Sequence, residues 1–196
     1  MFRYALFLLL LILLAVVLQQ FLPAFQPLYN ARIFLLLAVF LCISVTVPLP
    51  VVFIYALICG FLWDAQCALS TDKLDLSVFP TTISSLRFGT SILLFGLAGA
   101  FMHGFQHLFI QGKWYVSSVI AGVATFIYNL VEYSLVDFIR GSFTVNRGVL
   151  QQIGYTSLFS ALVAPLVFAA LFLIARIADH QIIAGKRPPN RFGYSL

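Results

Sequence analysis

The stretch YALICGFLWDAQCAL, residues 55–69, carries an unbroken apolar run up to a carboxylate. Asp64 has Gly60 one helical turn before it and Trp63 beside it. A charge at the end of such a run needs a reason, and the reason depends on its surroundings. The chain has 196 residues, 62% of them hydrophobic and only 9% charged, with a mean hydropathy of +1.06. Soluble domains are about a quarter charged, so the composition is that of an integral membrane protein and leaves no room for a separate soluble domain.

A helix needs about 20 apolar residues to cross a bilayer core. Six spans are expected on that basis, at about 4–22, 31–47, 51–66, 88–110, 115–139 and 155–177. The first lacks a small-residue cleavage site near Gln19-Gln20-Phe21 and reads as an uncleaved helix rather than a signal peptide. Pro48 and Pro50 remove backbone donors and close the second span in a turn. Spans two and three therefore form a tight hairpin, with Asp64 at the end far from the turn. Ser70 to Leu86 is the longest polar segment inside the chain and is expected to be an interfacial loop with a short surface helix. Gln111 to Val116, QGKWYV, has the lysine and amphipathic aromatics of a membrane edge. The six spans make one transmembrane domain over 1–180, followed by a basic tail over 181–196.

An even number of spans puts both termini on one side. That side holds Arg3, Lys113, Arg176, Lys186, Arg187 and Arg191; the opposite loops hold Arg32, Lys73, Arg87, Arg140 and Arg147. The basic tail tips the orientation toward cytoplasmic termini. The net charge of +5 lies in loops and tail, where orientation signals belong, so it reads as contact with membrane lipids and not with nucleic acid.

Few residues could carry chemistry. Glu132 lies seventeen residues into the fifth span, about 25 Å along its axis, in the outer third of the bilayer. Tyr128, Asn129 and Glu132 share a helical face by their spacing. An ionisable group at such a depth is costly unless paired or wetted, and Arg87 and Arg140 are the nearest basic candidates. The sharper reading is a polar cluster of Asp64, Glu132, Asn129, Arg87 and Arg140, structural or facing a partner. The plainer one is that Asp64 ends a helix at the interface and one arginine pins Glu132. Gly60, Gly89, Gly96 and Pro165 are read as helix-packing positions, since small residues let membrane helices approach.

His103 and His107 stand at i and i+4, but without an HExxH pattern or an acidic third ligand, so no metal site is expected. Cys42, Cys59 and Cys67 lie in or beside apolar segments and read as small hydrophobes. No P-loop, GxSxG or Cys-His-Asp pattern occurs. The expectation is a protein with no enzymatic activity and no cofactor.

Several local features together resemble one family, the rod-shape-determining membrane protein MreD. CGFLWDAQCALS resembles its helix-end pattern through Gly60, Asp64 and Ser70; FGTSILLFGLAG resembles the next helix through Phe88 and Gly89. Glu132 corresponds to an acid in the fifth span, and APLVFAALFLIAR, with Pro165 and Arg176, to a proline-interrupted last helix ending in a basic residue. The chain departs from that pattern in the longer stretch from Thr71 to Arg87 and in its longer basic tail. The resemblance implies an all-α fold of six transmembrane helices, similar to the substrate-binding subunits of energy-coupling-factor transporters. It implies a non-enzymatic scaffold in the bacterial cytoplasmic membrane, with an MreC-like single-span protein and wall-synthesis enzymes as partners, linking MreB filaments to peptidoglycan synthesis. The competing reading is a substrate-binding subunit of a vitamin-uptake transporter, with a pocket lined by Asp64, Asn129 and Glu132. Against it, the first span has only Ala5 and Ala15, ten apart, where such subunits carry AxxxA-like docking patterns.

Overall fold

The computed structural model of the chain describes residues 2–23, 29, 31–71, 88–110, 114–140 and 147–177. Within them lie seven helices: α1 (Phe2–Phe21), α2 (Leu35–Thr46), α3 (Leu49–Thr71), α4 (Thr90–Gly104), α5 (Gln106–Ile110), α6 (Trp114–Arg140) and α7 (Arg147–Ile177). The chain is all-helical over these residues. The expected surface helix after Ser70, Arg87 and the basic tail fall largely or wholly outside them.

Four helices are long and apolar enough to cross a membrane: Arg3–Phe21 in α1, Leu49–Cys67 in α3, Tyr115–Ile139 in α6, and α7. The apolar helices α2 and α4 are shorter, at about 18 and 22 Å by the α-helical rise, against a hydrocarbon core of about 30 Å. The expected second span, 31–47, thus yields a helix only from Leu35 onward. The expected third, 51–66, runs longer at both ends. The expected fourth, 88–110, divides at Phe105 into α4 and α5. There the Phe105 N–H turns back to the Met102 carbonyl at 3.1 Å, beside Gly104, a poor helix former. The last helix starts eight residues before the expected 155, because Val149, Leu150 and Ile153 continue its apolar side against Leu130 and Tyr133 of α6.

Contacts between elements place α2 at the centre. It touches α1, α3, α4, α6 and α7, and those five close around it in the order α1, α3, α4, α6, α7. Every residue of α2 from Leu36 to Thr46 is buried. A helix that is apolar on all sides and wholly enclosed fits such a position. The outer helices are two-faced in exposure although not in composition. On α1, Tyr4, Leu8, Ile12 and Ala15 are buried at helical spacing while Leu6, Leu10, Leu13 and Val17 are exposed. The exposed apolar face fits lipid, which is as apolar as the core.

Three glycines set the closest approaches. A Cβ on Gly60 would lie 2.5 Å from the Ile92 Cα, so α3 and α4 meet backbone to backbone there. On Gly99 it would lie 2.7 Å from the Phe40 ring, and on Gly122 it would lie 2.7 Å from the Ala161 Cβ. Gly96, by contrast, faces the Phe53 ring at an ordinary 3.9 Å. Pro165 sits inside α7, where its missing N–H leaves the Ala161 carbonyl without its helical donor. The packing predicts a contrast measurable by thermal unfolding in mild detergent. Gly60→Ala forces two backbones apart and should cost about 1–3 kcal/mol, whereas Gly96→Ala should lie within about 0.5 kcal/mol of wild type.

Candidate functional site

Polar side chains from neighbouring helices serve the ends of the two short helices. The start of α2 has Phe34 at its cap position, which offers no side-chain acceptor. Gln19 of α1 fills the gap: its Oε1 accepts the Leu36 N–H at 2.8 Å. Gln19 continues the buried face that runs through Leu8, Ile12 and Ala15, which is why it reaches α2. At the other end of α2, the Thr46 hydroxyl donates to the Ile43 carbonyl at 2.8 Å and receives the Tyr4 hydroxyl at 3.2 Å. His103 Nδ1 lies 3.1 Å from the Ser44 carbonyl. Facing an acceptor, that nitrogen carries the proton. His103 therefore serves a helix end, and no three His, Cys, Asp or Glu side chains among the described residues could together hold a metal.

Asp64 does the same work for α4. It lies on the inward face of α3, one turn beyond Gly60, and is only 6% exposed. Its Oδ2 accepts the Gly89 N–H at 2.6 Å, the short distance of a charge-assisted bond. Gly89 caps α4 with φ 98°, a left-handed conformation that costs a residue with a Cβ about 1–2 kcal/mol. The carboxylate thus meets the positive pole of α4, and the close approach at Gly60 brings the two helices near enough for it to do so.

Glu132 enters the same region from α6, partly buried. It is hydrogen-bonded by the Trp63 side chain and lies in the field of Asp64. Tyr128, one turn earlier, is 3% exposed and lies in the field of Glu132, Asp64 and Cys67. Its hydroxyl is turned toward Ser91 of α4 without making a hydrogen bond. Below these groups the rings pack closely. Phe34 stands 4.4 Å from Trp63 and 5.7 Å from Tyr128 by ring centroid, and Phe95 stands 5.3 Å from Tyr128.

The structure thus brings Asp64, Glu132 and Gly89 together with Trp63, Cys67, Ser91 and Tyr128. Asn129 is turned to its own helix, donating to the Thr125 carbonyl at 2.9 Å. Arg87 lies outside the described residues, as does the side chain of Arg140, and among the described residues no cation pairs with Asp64 or Glu132. A separate cleft between α6 and α7 is lined by Tyr133, Ser134, Asp137 and Ile153 and includes neither carboxylate. Sequence reading missed Ser91 and Cys67. Ser91 could have been found from its position two residues after a capping glycine, and Cys67 from its i+3 relation to Asp64.

No family model matches the chain, and no curated protein or solved structure matches it.

The geometry orders the substitutions at Asp64. Asp64→Ala leaves the Gly89 N–H without its acceptor and should destabilise the bundle by about 2–3 kcal/mol. Asp64→Asn keeps an acceptor oxygen and loses only the charge, so about 1 kcal/mol is expected. Thermal unfolding of both variants in the same detergent checks the order; equal stability of Asp64→Ala and wild type would refute it.

Proposed function

We propose that this protein is a non-enzymatic membrane scaffold of the bacterial cell-elongation machinery, of the MreD type. Its residue pattern supports this reading: Gly60, Asp64 and Ser70 at one helix end, Phe88 and Gly89 at the start of the next, Glu132 in α6, and Pro165 with Arg176 in α7. Counting α2 and α4 with the four longer helices gives six spans, the number that the energy-coupling-factor substrate-binding fold would have. In this reading α2 and α4 are carried across the membrane inside the collar of the other helices. The cytoplasmic membrane, with both termini on the cytoplasmic side, is the setting.

The observation that carries the proposal is the use of Asp64. The residue on which the resemblance is anchored is hydrogen-bonded to the backbone at the start of α4 and buried between helices, as a structural carboxylate would be. A scaffold needs rigid helix ends to present to its partners, and this bond supplies one. The partners on this reading are an MreC-like single-span protein and the wall-synthesis enzymes, through which MreB filaments are linked to peptidoglycan synthesis.

The test is a mild-detergent pull-down of the tagged protein at native expression level, with co-purifying proteins identified by mass spectrometry. Recovery of an MreC-like protein with wall-synthesis enzymes is expected, and Asp64→Ala should reduce it together with rod shape. Recovery of a transporter's membrane coupling subunit and its ATPases would overturn the proposal in favour of a vitamin-uptake subunit.

A further inference from the structure

Two sets of hydrogen bonds cross the bundle, one near each end, and the height between them is short. At one rim the Tyr4 hydroxyl donates to Thr46 at 3.2 Å and the His103 ring donates to the Ser44 carbonyl at 3.1 Å. At the other, Gln19 accepts the Leu36 N–H at 2.8 Å and Asp64 accepts the Gly89 N–H at 2.6 Å. Tyr4 to Gln19 on α1, Leu36 to Thr46 on α2 and Gly89 to His103 on α4 therefore run from rim to rim, each over about 15–23 Å at the α-helical rise. The hydrocarbon core of a bilayer is about 30 Å thick. For α2 the deficit has no consequence at the lipid boundary, because neighbours enclose it. For α4 it does, because one side of that helix faces out: Leu93 and Leu97 are each 70% exposed and Phe101 is 42% exposed. Among the described residues, the exposed large apolar side chains of the adjacent α3 likewise run only from Leu49 to Phe61, about 18 Å.

We infer that the outward face of α3 and α4 is a surface for a thinned bilayer, selecting lipids with short acyl chains and drawing the membrane inward along it. A helix longer than the core can tilt to fit, but a face shorter than the core cannot, so the lipid must come to it. The last helix shows the opposite case in the same bundle. Exposed apolar residues of α7 run from Leu150 to Ile177, about 40 Å of helix. That side takes up its surplus by tilting, while the α3–α4 side takes up its deficit by thinning the lipid beside it. Charge fits the same boundary. Arg3, next to Tyr4, and Arg32, just before the start of α2, are exposed at the two rims, where lipid phosphates meet them once the bilayer thins. Between its rims, from Thr90 to Met102, α4 carries no charged residue. The inference stands independently of the scaffold reading.

The test places the full chain in phosphatidylcholine vesicles with acyl chains of about 14 to about 22 carbons, a range that brackets the ordinary core thickness. Brominated lipid of each length competes with unbrominated lipid of fixed length and quenches tryptophan where it touches the protein. The reporter is Leu97→Trp on α4 or Leu162→Trp on α7, both exposed positions, each in a Trp114→Phe background. Trp63 stays in place, and its emission is subtracted using the background protein. Beside Leu97→Trp the shortest chains should bind about threefold or more tightly than the longest, and beside Leu162→Trp no such preference should appear. The same chain-length preference at both positions, or a preference for long chains beside α4, would overturn the inference. So would quenching of Leu162→Trp with none of Leu97→Trp, because protein and not lipid would then cover α4. Leu93→Trp, at an equally exposed position, keeps the test decisive if Leu97→Trp does not fold.

Discussion

In lipid, the backbone N–H and C=O groups at helix ends have no water to turn to, and each must find a partner inside the protein. The helices that cross fully can leave their ends at the interface. The two short helices cannot, and their starts depend on side chains from elsewhere. Gln19 of α1 accepts the Leu36 N–H at the start of α2, and Asp64 of α3 accepts the Gly89 N–H at the start of α4. The two bonds lie at the same end of the bundle. The opposite end of α2 is served in turn by Tyr4, Thr46 and His103. Both short helices thus have polar side chains of other helices at their starts, where the backbone requires them, while further polar residues such as Thr125 and Ser160 bond to carbonyls within their own long helices.

The arrangement around α2 follows from the same constraint. A helix too short to span, with its ends satisfied by neighbours and no polar face, is stable where other helices surround it. Small residues let the collar close: Gly99 lies against Phe40 and the α3–α4 backbones meet at Gly60. Packing of this kind matters more in a membrane than in water, because moving an apolar side chain from lipid into the core removes no water contact. Dispersion and close fit are what distinguish the inner face of α1 from its outer one.

The sequence made the helices legible and left their arrangement obscure. Apolar runs marked every long helix, and Pro48 and Pro50 marked the turn from α2 to α3. Spacing placed Gly60 a turn before Asp64, but the helix end expected at Asp64 is not there: α3 runs on to Thr71, and Asp64 is buried inside it. The central place of α2 was not legible, because α1 and α2 are both apolar on all sides and lipid and protein core demand the same residue types. Nor could spacing identify what the carboxylate would bond. Gly89 lies 25 residues away in the chain and comes within reach only because α3 and α4 touch at Gly60 and Ile92. Gly89 and Gly96 were read as helix-packing positions along with Gly60, yet the tight contacts fall at Gly60, Gly99 and Gly122, and a Cβ on Gly89 would meet nothing, since which glycine faces a neighbour depends on helix rotation. Glu132 and Tyr128 shared a face by spacing; that Trp63 and Ser91 would meet that face required the tertiary fold.

The central claim is that Asp64 is a structural carboxylate fixed to the start of α4. The most direct measurement is the backbone amide of Gly89, observed by NMR of the glycine-labelled protein in micelles and assigned by the loss of its signal in Gly89→Ala. A short charge-assisted bond inside the bundle predicts a strongly downfield amide proton that exchanges slowly with solvent, and that moves upfield and exchanges faster in Asp64→Ala. An amide that exchanges freely in the wild type, or is unchanged in Asp64→Ala, would contradict the account.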